Sequence, residues 1–163
     1  ILKLLTNKIK IKVMGLDMYL YKKTYVKHWE HNGDNNYKVE VSKAGQPVKI
    51  DPKKVTYIVE EAGYWRKANQ IHQWFVDNVQ NGNDDCGNYY VSRDKLQELL
   101  DVCNKVLANK SKAEELLPTS QGFFFGSTQY DEYYFDDIIN TKEIIEDCLS
   151  DEQADDFEYH SSW

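Results

Sequence analysis

Cysteine is scarce and unpaired in this sequence: Cys86, Cys103 and Cys148 are an odd three, widely spaced, with no Cys-x-x-Cys among them. That pattern gives no disulfide framework, no zinc knuckle and no dithiol redox couple, and it suits a reducing compartment. Cys103 and Cys148 fall within amphipathic stretches as small core residues. Cys86 follows two aspartates in a turn, and their charge disfavours the thiolate that a nucleophile requires. Proline is also sparse, at three residues, and no Pro- or Gly-rich linker divides the chain. A run of about 20 apolar residues is missing, which excludes a membrane-spanning helix. So are the Gly-x-x-x-x-Gly-Lys phosphate loop and the Gly-x-Ser-x-Gly elbow. The four histidines, His28, His31, His72 and His160, form no recognised metal pair, and Asn83-Asp84-Asp85 lacks the spaced ligands of a calcium loop. Neither a metal nor a cofactor is expected, and nothing in the sequence sets an oligomeric state.

What is present suffices for a packed core: 41% of the 163 residues are apolar and 13% aromatic. The aromatics are mostly tyrosine, 12 against 6 phenylalanines. A phenol buries its ring while its hydroxyl keeps a polar partner, which suits half-buried positions and recognition surfaces. Met14-Gly15-Leu16-Asp17-Met18 reads like a natural protein start, so residues 1–13 are expected to be an extra N-terminal segment. Their alternation of Ile9, Ile11 and Val13 with Lys8, Lys10 and Lys12 equally suits an added edge strand.

Periodicity predicts an α+β fold in which a small antiparallel sheet packs against about three helices. Met18 to Tyr25 alternates as an N-terminal strand, and Tyr37 to Ile50 as a hairpin about Ala44-Gly45. Asp51-Pro52 starts a helical turn. Residues 55–62 fit either a strand or a helix. Tyr64 to Gln80 has helical spacing, with Ala68, Ile71, Phe75 and Val79 on one stripe. Tyr89 to Val91 is a short strand, and Ser92 caps a helix carrying Leu96, Leu99, Leu100, Cys103 and Val106. After a turn at Ala113 to Leu117, Phe123-Phe124-Phe125 reads as a buried strand, and Tyr133 to Leu149 as the last helix. The domain is expected over residues 14–149, with residues 150–163 as a mobile acidic tail.

Charge is polarised along the chain. Residues 1–54 hold twelve lysines against five acidic residues, a surplus of seven, whereas residues 130–163 hold twelve acidic residues against Lys142 alone. The acidic end repels phosphate backbones and attracts a basic protein surface, so a direct nucleic-acid partner is not expected. Its carboxylates and rings mark a candidate protein-binding surface at Tyr130, Asp131, Glu132, Tyr133, Tyr134, Asp136 and Asp137. There, carboxylates stand in for phosphates and rings for bases. The plainer and preferred reading is that an acidic helix and tail keep a small protein in solution.

A second grouping is a candidate ligand pocket of Trp65, Arg66, Asn69 and His72 with Asp84 and Asp85. On a helix Trp65, Asn69 and His72 share a face; Arg66 would hold an anion, Asn69 a hydrogen-bonding group, and His72 would serve as general base or ligand with Asp84 or Asp85 close by. The preferred reading is again structural: a partly buried His72 bonded to a neighbour, with the aspartates serving their turn. No catalytic residue is assigned.

The stretches Met14 to Leu20, Tyr64 to Phe75, Asn83 to Gly87 and Phe123 to Tyr134 together resemble a family of small, largely uncharacterised phage and prophage proteins. The resemblance spans most of Met14 to Leu149 and implies a context, a bacterial cytoplasm and a mobile element, without supplying catalytic residues. Small acidic proteins of that origin often inhibit host defence, anti-CRISPR proteins among them. The leading expectation is therefore a non-enzymatic inhibitor that binds the basic surface of a host defence protein such as a CRISPR-Cas nuclease. The alternatives are a protein or enzyme that binds a nucleotide-like ligand at the second grouping, and a structural component of the phage particle.

Overall fold

The β-branched and aromatic alternation after Gly15 forms β1 (Asp17–Tyr25), whose even positions Met18 and Leu20 are buried while Tyr19 and Tyr21 stand on the opposite face. The computed structural model describes residues 14–163, and the expectations for residues 1–13 lie outside them. After a 3₁₀ segment come β2 (Ser42–Lys43) and β3 (Gln46–Pro47), joined by Ala44 and Gly45 at φ 50° and 75°. The hairpin expected over Tyr37 to Ile50 is thus reduced to two residues on each side of its turn, and it pairs only with itself, apart from the main sheet. Asp51 caps the expected turn at Pro52, accepting from Lys53 N at 3.1 Å.

The ambiguous residues 55–62 belong to β4 (Tyr57–Arg66), which runs antiparallel to β1 with Met18 opposite Trp65 and Asp17 opposite Arg66. The helix expected from Tyr64 therefore starts later, as α1 (Asn69–Asn78). Strand pairing satisfies the backbone of Tyr64 to Arg66 and overrides its helical spacing. Lys67, at φ 59°, turns the chain between the two, and its N–H donates to Leu16 O at 2.8 Å.

Next come β5 (Asn88–Val91), α2 (Arg93–Ala108), the single turn α3 (Ala113–Leu116), α4 (Glu132–Ser150) and β6 (Asp156–Ser162). Ser92 caps α2 by accepting from Lys95 N at 3.2 Å, and Asp131 caps α4 by accepting from Tyr134 N at 3.1 Å. The main sheet is antiparallel in the order β4-β1-β6-β5. Helices cover the face of Met18, Leu20, Trp65, Val91, Phe157 and Tyr159, while Tyr19, Tyr21, Tyr64 and His160 lie on the other. Gly63 lets α4 close onto β4: a Cβ there would stand 2.6 Å from Ile144 Cγ2.

The fold departs from expectation at two further segments. Phe123-Phe124-Phe125 is not a buried strand; it sits in a turn closed by Phe125 N to Gly122 O at 3.1 Å, with Phe123 95% exposed. Nor are residues 150–163 a mobile tail, because β6 occupies the middle of the sheet between β1 and β5. Alternation explains it: Phe157, Tyr159 and Ser161 point inward while the acidic Asp156 and Glu158 point outward. Arg93 holds the approach to β6, donating to the carbonyls of Leu149, Asp151 and Ala154.

Candidate functional site

The residues of the expected ligand pocket are dispersed. Trp65 is 2% exposed on the core side of β4, its indole N–H donating to Thr141 Oγ1 at 2.9 Å. Arg66, on the opposite side of the strand, pairs with Asp17 at 2.7 Å, and Tyr64 OH donates to the same carboxylate at 2.6 Å. Asn69, buried at the start of α1, organises the loop before α4. Its amide donates to Phe125 O and Ser127 O, both at 2.9 Å, and its carbonyl oxygen accepts from Ser120 N at 2.8 Å.

His72 and Asp84 do meet. Within the core, His72 Nε2 lies 3.0 Å from Asp84 Oδ2, and Nδ1 lies 2.7 Å from Tyr159 OH. A neutral ring donates to the carboxylate and accepts from the phenol, which uses both nitrogens. Burial first, then the charge of Asp84, pushes the Tyr159 phenol well above its ordinary range, so it remains a donor. The other oxygen of Asp84 accepts from Trp163 Nε1 at 3.1 Å. With no exposed surface and no spare nitrogen, His72 has no route to a ligand proton; it ties α1 to β6 and to the 83–87 turn. Asp85 serves that turn, accepting from Gly87 N at 3.0 Å and from Tyr89 OH at 2.9 Å.

The acidic aromatic segment divides between core and surface. Tyr134 is buried and donates to Leu117 O at 2.7 Å, while Tyr130 packs edge-on against it at 4.9 Å and accepts from Thr119 N at 3.1 Å. These two rings pin the loop before α4. Tyr133 points outward, 71% exposed. It borders a groove of about 340 Å³ whose far wall is Arg66, Lys67 and Gln70, and whose near wall carries Asp131, Asp136 and Asp137. The groove thus joins Arg66 of one candidate grouping to most of the other. Sequence reading missed Lys67 and Gln70, because only the strand-to-helix corner at Lys67 brings them opposite α4.

Burial pushes the Asp137 carboxyl up to about 6, and the charges of Asp136 and Asp131 add to this, while Gln70 opposes it. A carboxyl whose pKa is higher folded than unfolded binds a proton in the folded chain first. Its contribution to stability is therefore full below about pH 4 and is lost as the pH rises through about 6. Asp137→Asn removes that loss. Because the side chain keeps some solvent contact, the expected gain is only about 1 kcal/mol at pH 7, vanishing at pH 4. Urea denaturation at the two pH values measures it, and an equal shift at both would disprove the assignment.

The acidic excess at the end of the chain is partly neutralised within the fold. Lys22 bonds Asp151 at 2.6 Å and Glu60 at 3.1 Å, which raises its own pKa to about 12, and Lys23 bonds Glu158 at 2.7 Å. Asp155 accepts from Tyr25 N at 2.6 Å. Glu132 and Asp136 form no ion pair among the described residues. Among those residues there is also no group of three or more His, Cys, Asp or Glu side chains placed to hold a metal, and no helix long and apolar enough to cross a membrane. No family model matches the chain, and no curated protein and no solved structure shows significant similarity to it.

Proposed function

We propose that this chain is a non-enzymatic binding protein that uses the start of α4 to occupy a basic surface of a host protein, one that ordinarily holds nucleic acid. The observation that carries this reading is the separation of the acidic residues into two sets. Those after Leu149 are largely spent on Lys22, Lys23 and the backbone, whereas Glu132 and Asp136, exposed beside the outward Tyr133, form no ion pair among the described residues. An exposed tyrosine flanked by carboxylates suits a partner rich in arginine and lysine, through charge and cation–π contact. The phage resemblance directs the search to RNA-guided defence nucleases of bacteria.

The test reverses Glu132 and Asp136 to lysine together, leaving the Asp131 cap and the part-buried Asp137 intact. Binding to a panel of purified nucleases without guide RNA is measured at low and high salt. The expected result is a loss of at least about tenfold at low salt, with wild-type affinity itself falling as salt rises. Equal affinity of the variant and wild type would remove the reading.

A further inference from the structure

Phe123 is the most exposed large apolar side chain among the described residues, at 95%, and it stands edge-on to Phe124 with ring centroids 4.7 Å apart. Its position is built. Asn69 holds the carbonyls of Phe125 and Ser127, Leu16 N donates to Phe124 O at 3.1 Å, and Thr119 Oγ1 donates to Thr128 O at 3.0 Å. Both flanking glycines are tightly enclosed. A Cβ on Gly122 would lie 2.6 Å from the Phe125 ring, and Gly126, at φ 83°, would place one 3.1 Å from Lys67 Cβ. Much of the loop's ordering entropy is therefore met by folding, which is the condition under which a projecting ring contributes most to binding.

The same loop continues into Gly126 and Ser127, which line the groove between Arg66 and Lys67 on one side and the start of α4 on the other. We propose that Phe123 is the apolar anchor of the interface, inserting into an apolar cleft of the partner protein beside the basic patch that meets Glu132, Tyr133 and Asp136. This rests on the function proposed above. A lipid surface is the other natural taker of an exposed phenyl ring. The groove sets three carboxylates, Asp131, Asp136 and Asp137, against Arg66 and Lys67, and the exposed Glu132 beside it adds a further negative charge that repels anionic headgroups, so charge favours a basic protein.

Phe123→Ala and Phe123→Leu in the full chain test the anchor against the same nuclease panel, with the charge-reversed variant alongside. Phe123→Ala should weaken binding about thirtyfold at both salt concentrations, mainly through faster dissociation, with Phe123→Leu recovering most of the loss. Its thermal midpoint should equal that of wild type, since the ring is exposed. Unchanged affinity of Phe123→Ala for a nuclease whose binding the charge reversal abolishes overturns the anchor and leaves the acidic surface standing. Binding of wild type to no nuclease in the panel removes both. Phe123-dependent sedimentation with phosphatidylcholine or phosphatidylglycerol vesicles assigns the loop to membranes and overturns the protein-anchor proposal.

Discussion

A chain ended after Asp155 should show no cooperative unfolding transition in urea or on heating, although it loses only eight residues, 156–163. Those residues contain β6, which pairs with β1 along one edge and with β5 along the other. Removing it unpairs two ladders, detaches β5 and withdraws Phe157 and Tyr159, exposed by 1% and 0%. Tyr159 also stacks on Phe75 with centroids 3.9 Å apart. Each of the two rings contributes about 2–3 kcal/mol by burial. The core left open beneath them and the lost ladders raise the total to the order of a small domain's whole stability, about 5–15 kcal/mol. Circular dichroism melts and amide spectra decide the matter. A truncated chain that still melts cooperatively near the wild-type midpoint would show that β6 is dispensable.

His72→Ala should be the most costly single substitution among the polar residues of the expected ligand pocket, at about 4 kcal/mol. It leaves a cavity beside Phe125 and Tyr159 and strands two polar groups, the Tyr159 hydroxyl at 2.7 Å and the Asp84 carboxylate at 3.0 Å. For a chain of this size the midpoint should fall by roughly 10 °C. Asp84→Asn should cost less, because an amide keeps the shape of the site and Asp84 is partly solvated. If His72 serves only to join α1, β6 and the 83–87 turn, partner affinity measured well below the midpoint stays at the wild-type level. A loss of partner affinity in a fully folded His72→Ala chain, or a stability change below about 1 kcal/mol, would contradict that role.

Elements with strong local signals are legible in the sequence. The amphipathic stripes of α2 and α4, the Ser92 cap, the alternation of β1 and the helical turn at Pro52 all lie where periodicity and capping place them. The departures share one cause. Trp65 and Arg66 fit the helical spacing of the residues after them, yet β1 supplies a pairing partner. Phe123 reads as core because it is phenylalanine, yet its place follows from bonds made by Asn69 and Leu16, 54 and 107 positions away in the chain. The last segment reads as mobile because its acidic residues outnumber its apolar ones. Alternation places the carboxylates outward and the rings inward once neighbours exist on both sides.

The candidate site divides in the same way. Asp131, Glu132, Tyr133 and Asp136 can be singled out from sequence, since a run of carboxylates and rings at a helix start is a local feature. That Tyr130 and Tyr134 are spent on holding a loop while Tyr133 points outward is not legible there, nor is the approach of Gln70 to Asp137 or the place of Lys67 in the same groove. By itself the sequence determined composition, charge polarity, the α+β class and the apolar faces of the helices, because short-range periodicity and capping act within a few residues. Only the tertiary structure decided which acidic residues are neutralised by Lys22 and Lys23, which rings face outward, and that the C-terminal residues complete the sheet. Those outcomes depend on contacts between separate segments, β1 with β6 more than a hundred residues apart among them, for which no local pattern carries the information.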